Sequence, residues 1–266
     1  MIMNATNYRE YIAREFKNYT DKYDSSDTKI KLKVEHTYHV ALIAEDIARS
    51  LGLSANDIDI AWTCGMLHDI GRFEQVRRYG TFFDAQSVDH AQFGADILFT
   101  EGVYEQIVPY NICDNQRELI ERVIRVHSMF RVPEDLDERQ LMFANILRDA
   151  DKLDILRVNC ETPVDEVYNR PIEEFLTAQV SEEVKQAFRE HHCAKRSART
   201  TAIDYLVGHV CLVFELVYPR SVEIADEQKY IYQMLQFRSN NWDTREWFDY
   251  MKQEIRQYIM SKMEES

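Results

Sequence analysis

Gly65-Met66-Leu67-His68-Asp69-Ile70-Gly71-Arg72 is the stretch on which the reading of this chain turns. A histidine and an aspartate stand side by side at the end of an apolar run of helical period, through Ile58, Ala61, Trp62, Gly65 and Met66. Ser54, with Asp57 three residues later, opens that run like a capping box. Neighbours at a helix end point about 100° apart, so the two side chains can serve different positions. Imidazole with carboxylate is the donor mix that holds divalent transition metals while leaving room for water or substrate.

Working outward, the same chemistry recurs at wide spacing. His36 lies in Glu35-His36-Thr37, His90 in Asp89-His90-Ala91-Gln92-Phe93-Gly94, and His127 in Val126-His127-Ser128. Asp151 closes the series in Arg148-Asp149-Ala150-Asp151-Lys152-Leu153-Asp154. A lone histidine on an apolar helix face is ordinarily a satisfied core residue, and His39 and His209 read that way. Four such histidines in one core need a shared explanation, because a buried imidazole costs desolvation unless it is paired. A metal supplies one. In the last of these helices Leu147, Ala150, Asp151 and Asp154 share a face. That makes Asp151 the inward ligand and Asp154 a group that orients a histidine, with Asp149 left as a surface or capping acid.

Almost every other segment also reads with helical period. The spacing predicts helices over 8–19, 29–51 (stopped by Gly52), 54–68, from Ser87 through His90 to Leu98, 115–127 and 137–157. Further helices are predicted near 171–178, 181–190, 200–218, 221–237 and 242–263. Only 7 glycines and 5 prolines occur in 266 residues, which disfavours a strand-and-turn architecture. The expectation is an all-α protein: a metal-binding core over 1–165 and a helical extension over 166–266 packed on it. The loops 77–86 and 128–137 flank the ligand positions and are candidate walls of a pocket.

Acidic residues outnumber basic ones 46 to 32, for a formal charge of −14. This excludes a general nucleic-acid or anionic-membrane binder, which needs a basic face. A small phosphorylated substrate remains compatible, because a metal site carries its own positive charge. The five cysteines have no CxxC spacing and read as buried thiols in a reducing compartment. The N-terminus shows no signal-peptide pattern. The longest apolar stretch, 202–218, contains Asp204, His209 and Glu215 and reads as a buried helix rather than a membrane span. A cytoplasmic location is expected.

The ordered set His36, His68-Asp69, His90, His127, Asp151 resembles the HD-domain superfamily of metal-dependent phosphohydrolases, in its two-metal branch, over about residues 30 to 160. The resemblance implies an all-helical bundle. In it His36, His68, Asp69 and Asp151 hold one ion, and Asp69 bridges to a second held also by His90 and His127. Two such ions lie roughly 3.5–4 Å apart. The implied cofactor is one or two divalent ions, with Mn, Fe, Co, Ni, Zn and Mg undistinguished. The implied reaction is attack of a metal-activated hydroxide on a phosphomonoester or phosphodiester of a small molecule, a nucleotide above all. Asp69 and Arg72 would be catalytic, and Arg72, Arg77, Tyr79, Arg131 and Lys152 are candidate substrate contacts. Arg72 stands where relatives often have lysine, a change that keeps a phosphate-binding cation. His39 stands in place of an arginine and Ser128 in place of an asparagine. Two rival readings are a di-iron oxygenase built on the same ligands and a nucleotide-sensing module with little turnover. A homo-oligomer is compatible with all three.

Overall fold

Asp27 sets the start of the helix that carries the first histidine. Its carboxylate accepts the backbone N–H of Lys29 at 2.8 Å, and the helix α2 runs from Thr28 to Ser50. The chain then turns at Gly52, whose φ of 66° lies in the left-handed region that glycine enters without a Cβ clash. Ser54 caps the next helix, α3 (Ala55–Leu67), by accepting from the backbone N–H of Asp57 at 3.2 Å. The carboxylate of Asp57 in turn accepts the serine hydroxyl at 2.9 Å. The computed structural model describes residues 5–109 and 114–265.

The chain divides into two compact units, the first ending at Ala150 and the second beginning at Asp151; the cut lies within one long helix, α8 (Glu138–Glu161). In the first unit α2 packs along α3. The contact is close because Gly65 has no side chain: a Cβ there would lie 2.5 Å from the Cα of Ala41. α4 (Ile70–Tyr79) and α5 (His90–Ala95) also meet backbone to backbone, at Gly71 and Gly94. α5 lies against α7 (Asp114–Val126), and α7 against α3. α1 (Ala5–Thr20) adds Phe16, whose ring meets Tyr38 and Phe73 edge-on at 5.8 and 5.9 Å between centroids. Phe16, Ile47, Met66, Leu67, Ile70 and Phe73 are fully buried, each worth about 1.5–3 kcal/mol of transfer free energy.

The second unit has its own core around Phe175, Phe188, Ile203, Val207 and Phe248. Here α12 (Ala202–Val210) begins with a capping box made by Thr201 and Asp204. The buried Asp204 also accepts the backbone N–H groups of Ser181 and Thr200, each at 2.9 Å. Pro219 opens α13 (Pro219–Gln228), which packs on α15 (Trp242–Glu264). The fold is all-α as expected, with no strand among the described residues, and none of its helices is long and apolar enough to cross a membrane.

Several local expectations differ. The helix holding His90 starts at His90 and not at Ser87. Asp89 is its N-cap and accepts from the N–H groups of Ala91 and Gln92, while the Ser87 hydroxyl is taken up by Gln75 and the carbonyl of Phe83. The segment 200–218 is not one helix: a 3-10 turn over Cys211–Glu215 follows α12. The segment 221–237 is broken by Lys229 at φ 62°. His39 is exposed on α2 rather than in the core. Asp149, expected at the surface, is fully buried. Cys64, Cys193 and Cys211 are buried thiols, but Cys160 is only half-buried, and Cys113 lies outside the described residues.

Candidate metal centre

Three helix ends and one helix face carry the ligand candidates. His36 projects from the middle of α2, on the side that also buries Val40, Ile43 and Ile47. His68 is the last residue of the turn that closes α3, and Asp69, at φ −102° and ψ 16°, breaks the helix before α4 begins at Ile70. The break lets the two adjacent side chains face different partners. His90 opens α5, and His127 follows the last residue of α7. All five side chains are buried.

The histidine tautomers follow from what their Nδ1 atoms meet. His68 Nδ1 is 2.8 Å from the carbonyl of Gly65, and His127 Nδ1 is 2.7 Å from the carbonyl of Ile124. His90 Nδ1 is 2.7 Å from a carboxylate oxygen of Asp84. Each of these oxygens can only accept, so each Nδ1 carries the proton and each Nε2 keeps its lone pair. Those lone pairs converge. His90 Nε2 faces His127 Nε2 at 3.2 Å, and His68 Nε2 faces His36 Nε2 at 3.4 Å. The bare lone pairs of His90 and His127 repel at that distance, and a cation between them would turn the repulsion into coordination. Outer partners that fix the ring and tautomer are what metal-binding histidines require.

Asp69 sits between the two pairs. Its Oδ2 is 3.5 Å from His36 Nε2 and 3.6 Å from His68 Nε2, while its Oδ1 is 3.5 Å from His90 Nε2. Two trios thus share one carboxylate. His36, His68 and Asp69 form one, and Asp69, His90 and His127 the other; in each, the donor atoms lie within 4.8 Å of one another. Burial works to raise the carboxyl of Asp69, but Lys33, His68, Arg72 and His90 together outweigh it and hold the group well below its ordinary range. Burial, followed by the charge of Arg72, pushes His90 down to about 4, so its imidazole is neutral at neutral pH. The residues present therefore fit divalent cations in donor type, protonation and convergence.

The other site candidates divide. Arg72 Nη1 donates to the Phe82 carbonyl at 2.6 Å, to Asp84 at 2.7 Å and to Gln75 at 2.8 Å. Its Nε has no hydrogen-bond partner and lies 3.5 Å from Asp69 Oδ1. Arg77 pairs with Glu74 at 2.5 Å and lies over the ring of Tyr23, with more than half its side chain exposed. Tyr79 is exposed at the end of α4. Arg131 is exposed over the ring of Phe130, and Lys152 donates to the carbonyl of Glu215 at 2.9 Å. Asp151 is half-buried on α8. Asp154, expected to orient a histidine, holds the Arg157 guanidinium through both oxygens, at 2.6 and 2.9 Å.

Two residues at the centre escape the sequence reading. Asp84, in the loop before α5, ties His90 to Arg72. Lys33, one turn before His36 on α2, places its Nζ 2.7 Å from Asp69 Oδ2. The (i, i+3) spacing of Lys33 and His36 was the available signal.

The HD domain family model matches residues 34–156. This part of the chain is an HD domain. The match takes in His36, His68, Asp69, His90, His127 and Asp151, the full ligand set read from the sequence. Searches of the curated proteins and of the solved structures found no match. The HD family supports a metal-dependent, hydrolase-type function for the domain, and the buried histidine and aspartate trios agree with its metal binding.

Proposed function

We propose that this protein is a two-metal phosphohydrolase that cleaves a phosphomonoester or phosphodiester of a small molecule, with a nucleotide as the favoured substrate class. One observation carries the proposal: the two oxygens of Asp69 face different histidine sets, the arrangement a bridging carboxylate needs. We add Asp151, which α8 carries one residue beyond Ala150, as the further acid of the set. Divalent ions held there would lower the pKa of a coordinated water and clamp the attacking and leaving oxygens of a phosphate ester.

The chain's own residues do the rest. His68, His90 and His127 present lone pairs fixed by the Gly65 carbonyl, Asp84 and the Ile124 carbonyl. Asp69 supplies negative charge to both positions. Arg72 anchors Asp84 and keeps one N–H without a partner beside Asp69, where it can meet a phosphate oxygen. Arg77, Tyr79, Arg131 and Lys152 are outlying candidates for the remainder of the substrate. The net charge of −14 favours a small ligand over nucleic acid.

The test is metal analysis of protein purified without chelator, followed by a hydrolysis screen over nucleotides and generic phosphate esters with Mn2+, Fe2+, Co2+ and Mg2+. Asp69→Ala is expected to abolish both metal retention and phosphate release; retention of both would overturn the reading. Iron content with oxygen consumption and no phosphate release would favour the oxygenase instead. Nucleotide binding without turnover under every ion would favour the sensing module.

A further inference from the structure

Lys33 holds Asp69 closely, with 2.7 Å from Nζ to Oδ2. That oxygen is the one facing His36 and His68. A divalent ion shared by these three residues would draw on that same carboxylate oxygen. The ammonium group and the ion would then compete, as like charges, for one oxygen in a site shielded from water. Only 17 % of the Lys33 side chain is exposed, so the ammonium is not a casual surface neighbour. From that same position the ring of Phe82 lies 5.6 Å from Nζ, within the range at which an aromatic face attracts a cation, so an ammonium leaving Asp69 has a favourable surface beside it. Its flexible four-carbon stem lets the ammonium shift off Asp69 and closer to that ring.

We propose that Lys33 is a tethered counter-cation that holds Asp69 in the metal-free protein and that an entering divalent ion displaces toward the Phe82 ring. Lys33 thereby weakens ion binding at the His36–His68–Asp69 position and stabilises the protein that lacks an ion. Displaced, its ammonium stays at the edge of the centre on the side of the Phe82 loop. The inference rests on the metal-binding part of the proposed function and not on the identity of the substrate.

The experiment compares Mn2+ binding by calorimetry in the wild type, Lys33→Gln and Lys33→Arg, together with the melting temperature of each without metal. Lys33→Gln is expected to bind Mn2+ about tenfold more tightly or better and to melt lower than wild type when metal-free. Lys33→Arg, which keeps the charge, is expected to bind no more tightly than wild type. A second readout uses the wild-type protein alone: amine acylation by acetic anhydride, mapped by peptide mass spectrometry. Acylation of Lys33 is expected to rise when Mn2+ is added. Equal or weaker Mn2+ binding by Lys33→Gln, or acylation of Lys33 that stays flat or falls with Mn2+, would overturn the proposal. A protein that passes these tests and releases no phosphate from any ester would sink the phosphohydrolase reading alone. Hydrolysis with both Lys33 readouts unmoved would do the reverse.

Discussion

Asp84→Asn is the substitution that most directly tests whether the tautomers described above matter. The carboxylate of Asp84 accepts hydrogen bonds from His90 Nδ1–H and from Arg72 Nη1–H, each at 2.7 Å. Being acceptor-only, it admits a single His90 tautomer, with the lone pair on Nε2 directed at the site. Asparagine of the same shape can turn its amide N–H toward Nδ1. His90 is then free to carry its proton on Nε2, 3.2 Å from His127 Nε2, where it blocks coordination. Loss of such an outer partner typically costs 10–100-fold in metal affinity, or about 1.4–2.7 kcal/mol. The damage should fall mainly on one position, because Asp84 is bonded directly to His90, whereas it reaches Asp69 through Arg72. Calorimetry with Mn2+ should therefore show one event at wild-type affinity and a second weakened by that factor, with phosphate release falling in parallel. Circular dichroism would confirm an unchanged helical content. Two unchanged binding events would refute the tautomer argument. Equal weakening of both would refute the division into two trios.

Two further substitutions test the frame. Gly65→Ala places a Cβ 2.5 Å from the Cα and 2.8 Å from the N of Ala41, so α2 and α3 must separate. Overpacking of this kind costs about 1–3 kcal/mol, read as a lower urea midpoint, and Mn2+ affinity should fall with it because the Gly65 carbonyl orients His68. In the second unit, His209 is hydrogen-bonded to Tyr168 and Asn159, and burial, followed by Arg199 and Arg196, pushes its imidazole from 6.5 down to about 3. Between those values the unfolded chain binds the extra proton. The stabilisation is thus complete above the unfolded pKa and is lost as pH falls toward the folded one, by up to about 1.4 kcal/mol per pH unit. His209→Gln should flatten the dependence of the urea midpoint on pH between about 4 and 7, and an unchanged slope would contradict this.

The helices were legible because an apolar stripe of helical period is written into each, as along Val40, Ile43, Ala44 and Ile47. The clustering of His36, His68, Asp69, His90 and His127 was legible for a related reason: polar residues placed on such stripes must find one another. What the sequence hid depended on loops and on three-dimensional neighbours. Asp89 and not Ser87 is the cap, and Ser87 is engaged by Gln75, twelve residues before it and invisible to local pattern. Asp84 carries no local signal that the chain folds it back onto His90. Asp149 carries no mark in its sequence of being fully buried. The face shared with Asp151 suggests that Asp154 orients a histidine, yet Arg157, one turn further along α8, bonds both its oxygens.

The meeting of Gly71 and Gly94 has a consequence for ion choice. A Cβ on Gly71 would lie 2.6 Å from the carbonyl oxygen of His90 itself and 2.7 Å from the nitrogen of Gly94. The main chain two residues beyond Asp69 is therefore seated against the main chain of His90, and the gap between these two donors is gauged by peptide units rather than by side chains that repack. Cations of different ionic radius bound there would have to be accommodated by tilting imidazole rings within a fixed frame, which would make discrimination among them a property of the backbone.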